Sequence, residues 1–345
     1  MLTPNPIEAG YGSDRNGLVW GYRFQPQTTP EPIDCEAALQ LLAAWNEGST
    51  QGFGQGFVWL HLSLSNAAAE RWMRQSLQLA DEFYDSLHDS SGSTRLEMQG
   101  DALVAVLHDV LFNTNFDSAN VATVTLHMEP QLVVSARLRP LRAVDQLRAA
   151  VRAGRPLRSP PELLAQLLRD QAEVLADIVR KTTARLDIIE DTMLASRVAA
   201  SRGELSALRR SLVRLQRLLA PEPAALFRLL NRPPQWLSEE DVQDLRQAAE
   251  EFATAVADSG VLVERLKLLQ EELSATVEEH TNRTLFVLTL VTVLALPINV
   301  VTGLFGMNVG GVPLSQHGQG FTIVVVALAA ITSVLAYFLL IRRRD

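Results

Sequence analysis

Two uncharged stretches near the C-terminus constrain this chain most. Leu285 to Phe305 and Phe321 to Ile341 each run for 21 residues without Asp, Glu, Lys or Arg. At about 1.5 Å rise per residue, a helix of that length crosses roughly 30 Å, the thickness of a bilayer core. Nothing upstream approaches this. The opening MLTPNPIEAGYGSD lacks a basic segment followed by an apolar one, so no signal peptide is expected. Arg283 precedes the first stretch, Arg342, Arg343 and Arg344 follow the second, and the loop between them holds neither Lys nor Arg. The positive-inside rule then places both ends in the cytoplasm and the loop outside.

The rest of the 345-residue chain is 47% hydrophobic overall and long enough for a substantial core. From about Gly17 to Leu138 the periodicity is mixed. GLVWGYRF, FVWLHLSLS, ALVAVLHDVLF and the hairpin VATVTLHM-EP-QLVVSARL read as strands, while Asp34–Trp45 and Asn66–Leu79 have helical spacing and open on capping residues. This is an α/β domain, with a boundary expected at residue 158. From Pro160 the pattern turns almost wholly helical. One helix opens on Ser159 and Pro160, a second carries Arg202, Arg209, Arg210, Arg214 and Arg217, and a third is capped by Ser238. No stop signal interrupts the third between Ser238 and Pro297. It reads as a single helix of about 65 residues that runs through the cytoplasmic stalk, 159–283, into the first span, 284–305. A short loop, 306–320, the second span, 321–341, and a tail, 342–345, complete the chain.

Within the first span the polar atoms are not scattered. Positions 282, 285, 289, 292, 296, 299 and 303 repeat every 3.5 residues and hold Asn, Leu, Thr, Thr, Leu, Asn and Gly. A side-chain amide facing lipid is costly, so this stripe calls for protein or water beside it. Helix–helix packing glued by Thr and Asn is one solution. A pore wall built from several copies around an axis is the other.

The architecture resembles the CorA family of divalent-cation transporters. The resemblance rests on two C-terminal spans, a very long helix leading into the first, and Gly306–Met307–Asn308 closing it. The continuation GMNVGGVP and the strand FVWLHLSLS resemble the zinc-transporting ZntB branch, and the loop from Asn308 to Gly320 lacks the acidic residue usual in the magnesium branch. The resemblance implies a funnel-shaped homopentamer in a bacterial inner membrane, with Gly306, Met307 and Asn308 as selectivity filter. It also implies a pore lined by Asn282, Leu285, Leu288, Thr292, Leu296, Asn299 and Gly303, which matches the stripe except for Leu288 in place of Thr289.

The cargo implied is Zn²⁺, with Ni²⁺, Cd²⁺ or Co²⁺ as further candidates, and no resident cofactor. Small divalent ions hold their water tightly, and neutral carbonyls at Asn308 can accept hydrogen bonds from a hydrated ion without binding it too firmly to release. His317 in the loop and Glu279 with His280 at the inner end of the span are the metal-ligating candidates. The zinc branch implies proton-assisted uptake, yet neither span holds a titratable residue, so coupling has to use Glu279, His280, His317 or pore water. His61 and His127 read as structural strand residues, and His88–Asp89 and His108–Asp109 receive no functional role. The acidic residues of the long helix read as a solvated face paired with the arginines of 202–217. Net charge −8 argues against a nucleic-acid partner, the single Cys35 excludes a cysteine-rich zinc cluster, and no nucleotide-binding or hydrolase motif is present, so no enzyme is expected. Two other readings fit parts of the pattern: a Mg²⁺/Co²⁺ channel of the same architecture, and a membrane-tethered scaffold or sensor without transport.

Overall fold

The computed structural model describes residues 12–26, 28–47, 56–89, 92–112, 121–194, 198–307, 313 and 318–341. They divide into two units, Met1–Leu269 and Gln270–Asp345.

The first unit is built on a mixed seven-stranded sheet. Its strands are β1 (Leu18–Phe24), β2 (Glu31–Pro32), β3 (Phe57–Ser63), β4 (Arg95–Gln99), β5 (Ala102–Val110), β6 (Val121–Met128) and β7 (Leu132–Arg137), in the order β2-β1-β3-β7-β6-β5-β4. Only β3 and β7 run parallel, with His61 opposite Ser135; every other neighbour is antiparallel. The expected hairpin is present, β6 turning into β7 through Glu129, whose N–H donates to the Leu132 carbonyl at 2.8 Å.

Alternation along the central strands sorts two cores. Val58, Leu60 and Leu62 of β3, with Leu132, Val134 and Ala136 of β7, pack against α1 (Cys35–Glu47), α2 (Ala68–Ser76) and α3 (Asp81–His88). The intervening residues turn to the other face and carry polar groups there. Arg137 Nε donates to His61 Nε2 at 2.8 Å, which leaves the proton on Nδ1 to donate to Ser135 Oγ at 2.7 Å. The Trp59 indole N–H meets the same oxygen at 2.8 Å. Burial, then the positive charges of Arg137 and Arg148, holds the His61 pKa well below its ordinary value. The structural role expected for His61 is what its bonds show.

Both capping residues act at the start of their helices. Asp34 Oδ1 accepts the Ala37 N–H at 2.8 Å, and Asn66 Oδ1 takes that of Ala68 at 3.0 Å, one residue ahead of the α2 cap position. Gly17, at φ +85°, makes the turn into β1, where a Cβ would collide with Ala69 of α2.

The helices that follow are α4 (Arg142–Arg152), α5 (Pro160–Leu194), α6 (Val198–Leu219), α7 (Pro221–Leu230) and α8 (Glu239–Phe305). The second of the long helices spans Val198–Leu219 and carries the expected arginines, and Pro221, which has no N–H to continue the α6 ladder, starts α7. Ser238 caps α8 reciprocally: its Oγ accepts the Asp241 N–H at 3.1 Å while Asp241 Oδ2 accepts the Ser238 N–H at 3.3 Å. The helix then continues for 67 residues, through Pro297.

Ion pairs join α8 to α5 as well as any made to the arginines of 202–217. Arg169 of α5 takes Asp244 and, at 3.7 Å, Glu251; in the reverse sense Arg265 of α8 reaches Asp187 at 2.8 Å and Glu190 at 2.7 Å. Arg185 of α5 in turn reaches Glu204 of α6, 3.7 Å away, and Gln216 of α6 lies against Gly260 of α8.

The second unit contains the end of α8 and α9 (Gly320–Ile341). Both are long and apolar enough to cross a membrane. Most of their partly shielded residues share one face per helix: Phe286, Leu290, Val293, Leu294, Pro297 and Val301 on α8, with Ala295 opposite, and Val324, Leu328, Thr332 and Leu335 on α9, with Ala336 beside them. Spacing of three and four marks one face per helix.

Candidate functional site

The residues expected to line a pore occupy a different face of α8. At 100° per residue, Asn282, Leu285, Thr292, Leu296, Asn299 and Gly303 centre about 120° around the helix from the shielded stripe. All six are exposed, with Leu285 at 54% and Leu296 at 67%. Leu288 and Thr289 flank the midline of this face on either side, and both are exposed.

The chemistry of this face is neutral. Thr289 and Thr292 donate their hydroxyl protons to the carbonyls of Leu285, at 2.8 Å, and Leu288, at 3.0 Å, one turn back. Each oxygen therefore turns acceptor lone pairs outward. Thr284 and Thr302, which lie off the stripe, close the same kind of bond to His280 and Ile298. Asn282 and Asn299 add amides, one at each end of the face. Acceptors without charge suit an ion that keeps its first water shell.

At its C-terminus α8 ends cleanly. The Gly306 N–H donates to the Thr302 carbonyl at 2.9 Å, and Met307 is 52% exposed. Asn308, the filter residue expected from the sequence, and His317, the loop candidate for metal contact, lie outside the described residues. Behind the helix end, Val301, Thr302, Phe305 and Gly306 face Gly320, Phe321, Val324 and Leu328 across a mostly apolar cavity of about 570 Å³. This cavity lies on the side of α8 away from Gly303.

Glu279 and His280 are exposed neighbours on α8. Among the described residues no three of His, Cys, Asp and Glu come together in a metal-holding group. In the first unit His127 Nε2 meets Glu129 at 2.9 Å and His88 Nε2 meets Glu70 at 3.0 Å.

Comparison with known proteins places these features in a family. The family model described as CorA-like Mg²⁺ transporter protein matches residues 54–343. The divalent cation transporter CmaX of Pseudomonas aeruginosa is 26% identical over 334 residues, covering 95% of this chain and 96% of that one. The zinc transport protein ZntB of Yersinia enterocolitica is 24% identical over 281 residues, covering 81% of this chain and 86% of its own. Among solved structures, full-length CmaX superposes with a TM-score of 0.79 at 24% identity, over 95% of this chain and 99% of that one. A family match that takes in most of the sheet, all of the long helices and both spans makes this chain a member of the CorA-like family of divalent cation transporters, and hence a transporter rather than an enzyme.

Proposed function

We propose that the chain carries Zn²⁺, and with it other transition-metal divalents such as Ni²⁺, Cd²⁺ or Co²⁺, into the cytoplasm as a homopentamer in the bacterial inner membrane. The observation that carries this reading is the neutral polar face of α8 from Asn282 to Gly303, exposed on the single chain and turned away from the partly shielded stripe. A face with amides and hydroxyls at membrane depth needs water or further protein beside it. Copies arranged around an axis supply both. In that arrangement Thr292 and Asn299 offer oxygen acceptors to a hydrated ion, and Leu285, Leu288 and Leu296 form apolar constrictions that can dewet. Gly306, Met307 and Asn308 form the outer filter. Both termini then lie in the cytoplasm, with 284–305 and 321–341 as the spans, 306–320 as the external loop, 1–158 and 159–283 as the cytoplasmic domain and stalk, and 342–345 as a cytoplasmic tail. Glu279, His280 and His317 are the groups left to hold a metal ion or a proton at the two mouths.

The test is zinc and magnesium uptake into liposomes holding the purified protein, with and without an inward proton gradient. Zinc flux that rises with external acid supports a coupled zinc importer. Magnesium flux indifferent to the gradient replaces that reading with a passive Mg²⁺/Co²⁺ channel, Mg²⁺ being the ion in the family model's description. No flux of either ion leaves a tethered scaffold or sensor. Asn308→Ala is expected to abolish or deregulate uptake while leaving the oligomer intact; normal uptake and selectivity in that variant would remove Asn308 from the filter.

A further inference from the structure

The dipeptide His108–Asp109, given no role from the sequence, ties four elements of the first unit together. His108 lies two residues past the last rung that β5 shares with β4, the pair Val106 and Arg95. There its backbone finds side chains in place of a strand. The His108 N–H donates to Glu222 Oε1 of α7 at 2.5 Å, and Gln171 Nε2 of α5 donates to the His108 carbonyl at 2.6 Å. The imidazole Nδ1 lies 3.2 Å from the same Glu222 oxygen and 3.2 Å from Thr94 Oγ1. The next residue, Asp109, turns the other way. Its Oδ2 accepts the N–H groups of Ala143, at 2.8 Å, and Val144, at 3.2 Å, at the start of α4, and Oδ1 accepts that of Val110 at 2.7 Å.

This junction is dry. His108 is 4% exposed, Asp109 2%, Glu222 1% and Gln171 3%. Two acceptor oxygens held against His108, Glu222 Oε2 and Gln171 Oε1, meet no donor among the described residues. A buried acceptor without a donor is costly, and a proton on the carboxylate supplies one.

Two arginines on the surrounding elements are already paired. Arg142 of α4 is taken by Asp177 of α5 at 3.1 Å, and Arg95 of β4 lies 3.9 Å from Asp89. Asp170 of α5 accepts from Gln166 at 2.7 Å. The hydrogen bonds from His108 favour ionised Glu222, while the Glu222 carboxylate disfavours the ionised form of Asp109. Two buried carboxylates in this setting do not both ionise readily. Burial, partly opposed by backbone N–H groups, pushes Asp109 up to about 7, and burial likewise raises Glu222.

We propose that His108, Asp109 and Glu222 form a proton-binding latch, in which the gain or loss of one proton decides whether α7 and the first turn of α4 stay tied to β5. With the proton bound, one carboxylate is neutral and the junction holds. When it leaves to solvent, two buried negative charges repel across it and the ties to α7 and α4 loosen. α5, bonded to the same histidine, is also the helix that pairs with α8 through Arg169 and Arg265. The latch is therefore placed to report proton concentration to the helix that runs into the first span, and that last link rests on the transport reading above.

Hydrogen–deuterium exchange of the full chain in lipid nanodiscs, corrected for intrinsic rates, tests the latch from pH 5.5 to 8.5. Peptides covering 106–111, 141–146 and 221–228 are expected to lose at least about tenfold in protection as pH rises through neutral. Glu222→Gln, which keeps an acceptor for the His108 N–H but cannot ionise, should hold protection constant across the range. Asp109→Asn is the second arm should Glu222→Gln fail to fold. Flat exchange in the unaltered protein, or an unchanged pH response in whichever variants fold, overturns the latch. Zinc flux into liposomes whose internal pH alone is varied separates the two proposals. A flux response lost in Glu222→Gln links latch to pore; a response retained there cuts that link. Absence of any flux removes the transport reading while the exchange data still judge the latch.

Discussion

A carboxylate buried as deeply as Asp109 must be held by the backbone, and it shows what that arrangement does to stability. Its three N–H donors favour the ionised form, but burial outweighs them and sets the group near pH 7 against an ordinary value of 3.8. A folded-state value above the unfolded one means the native protein binds the proton more tightly. The contribution to stability is thus full below about pH 4 and is lost as pH rises to about 7. Asparagine keeps an acceptor for Ala143 and Val144 and does not titrate. Asp109→Asn should therefore gain on the unaltered protein by up to about 1.4 kcal/mol per pH unit between pH 4 and 7, whatever fixed offset the substitution carries. Unfolding followed by tryptophan fluorescence at several pH values reads this difference. A constant offset would mean that Asp109 is ionised throughout. Asp109 was not legible as special from the sequence, because its neighbour's partners lie 63 and 114 residues away in Gln171 and Glu222.

At the scale of elements, most starts and stops were visible because they are decided by bonds a few residues long. Ser238 and Asp241 close the α8 cap within three residues, and Asp34 closes that of α1 in the same way. Ser238→Ala removes the oxygen that accepts the Asp241 N–H and leaves Asp241 Oδ2 with one bond fewer at this end. A loss of about 1 kcal/mol is expected, seen as a lower unfolding midpoint. An unchanged midpoint would show that the donation of Ser159 to Asp241, at 2.5 Å, carries the helix start instead. Elements missing from the sequence reading fail for opposite reasons. β4 is an edge strand whose residues RLEMQ are nowhere fully buried, so its alternation carries little apolar signal. α3 has eight residues, barely two turns of periodicity, although Phe83 and Tyr84 bury well beneath it. β2 is two residues long.

For the molecule as a whole, the decisive surface is the one the single chain leaves uncovered. Substituting Cys35, the only cysteine, by alanine leaves a background in which an introduced cysteine reports its neighbours. If the Asn282–Gly303 face surrounds an axis, Leu296→Cys in the membrane cross-links under mild oxidation. Each cysteine can pair once, so the product is a dimer band with a remainder of monomer. Val324→Cys, on the partly shielded stripe of α9, should give none. Cross-linking through Val324 and not through Leu296 would turn α8 around and remove the pore stripe.

Run length and hydropathy, both local, were enough to determine two helices long and apolar enough to cross a membrane, the uninterrupted long helix and its neutral stripe. A helix satisfies its backbone within four residues, and lipid admits such a segment on composition alone. Which charges meet was decided only by tertiary structure. Asp244 and Glu251 of α8 meet Arg169 of α5, 75 and 82 residues earlier, and Glu222 goes to a strand 114 residues earlier. Such pairs depend on how sheet and helices close upon one another, and no local spacing encodes that closure.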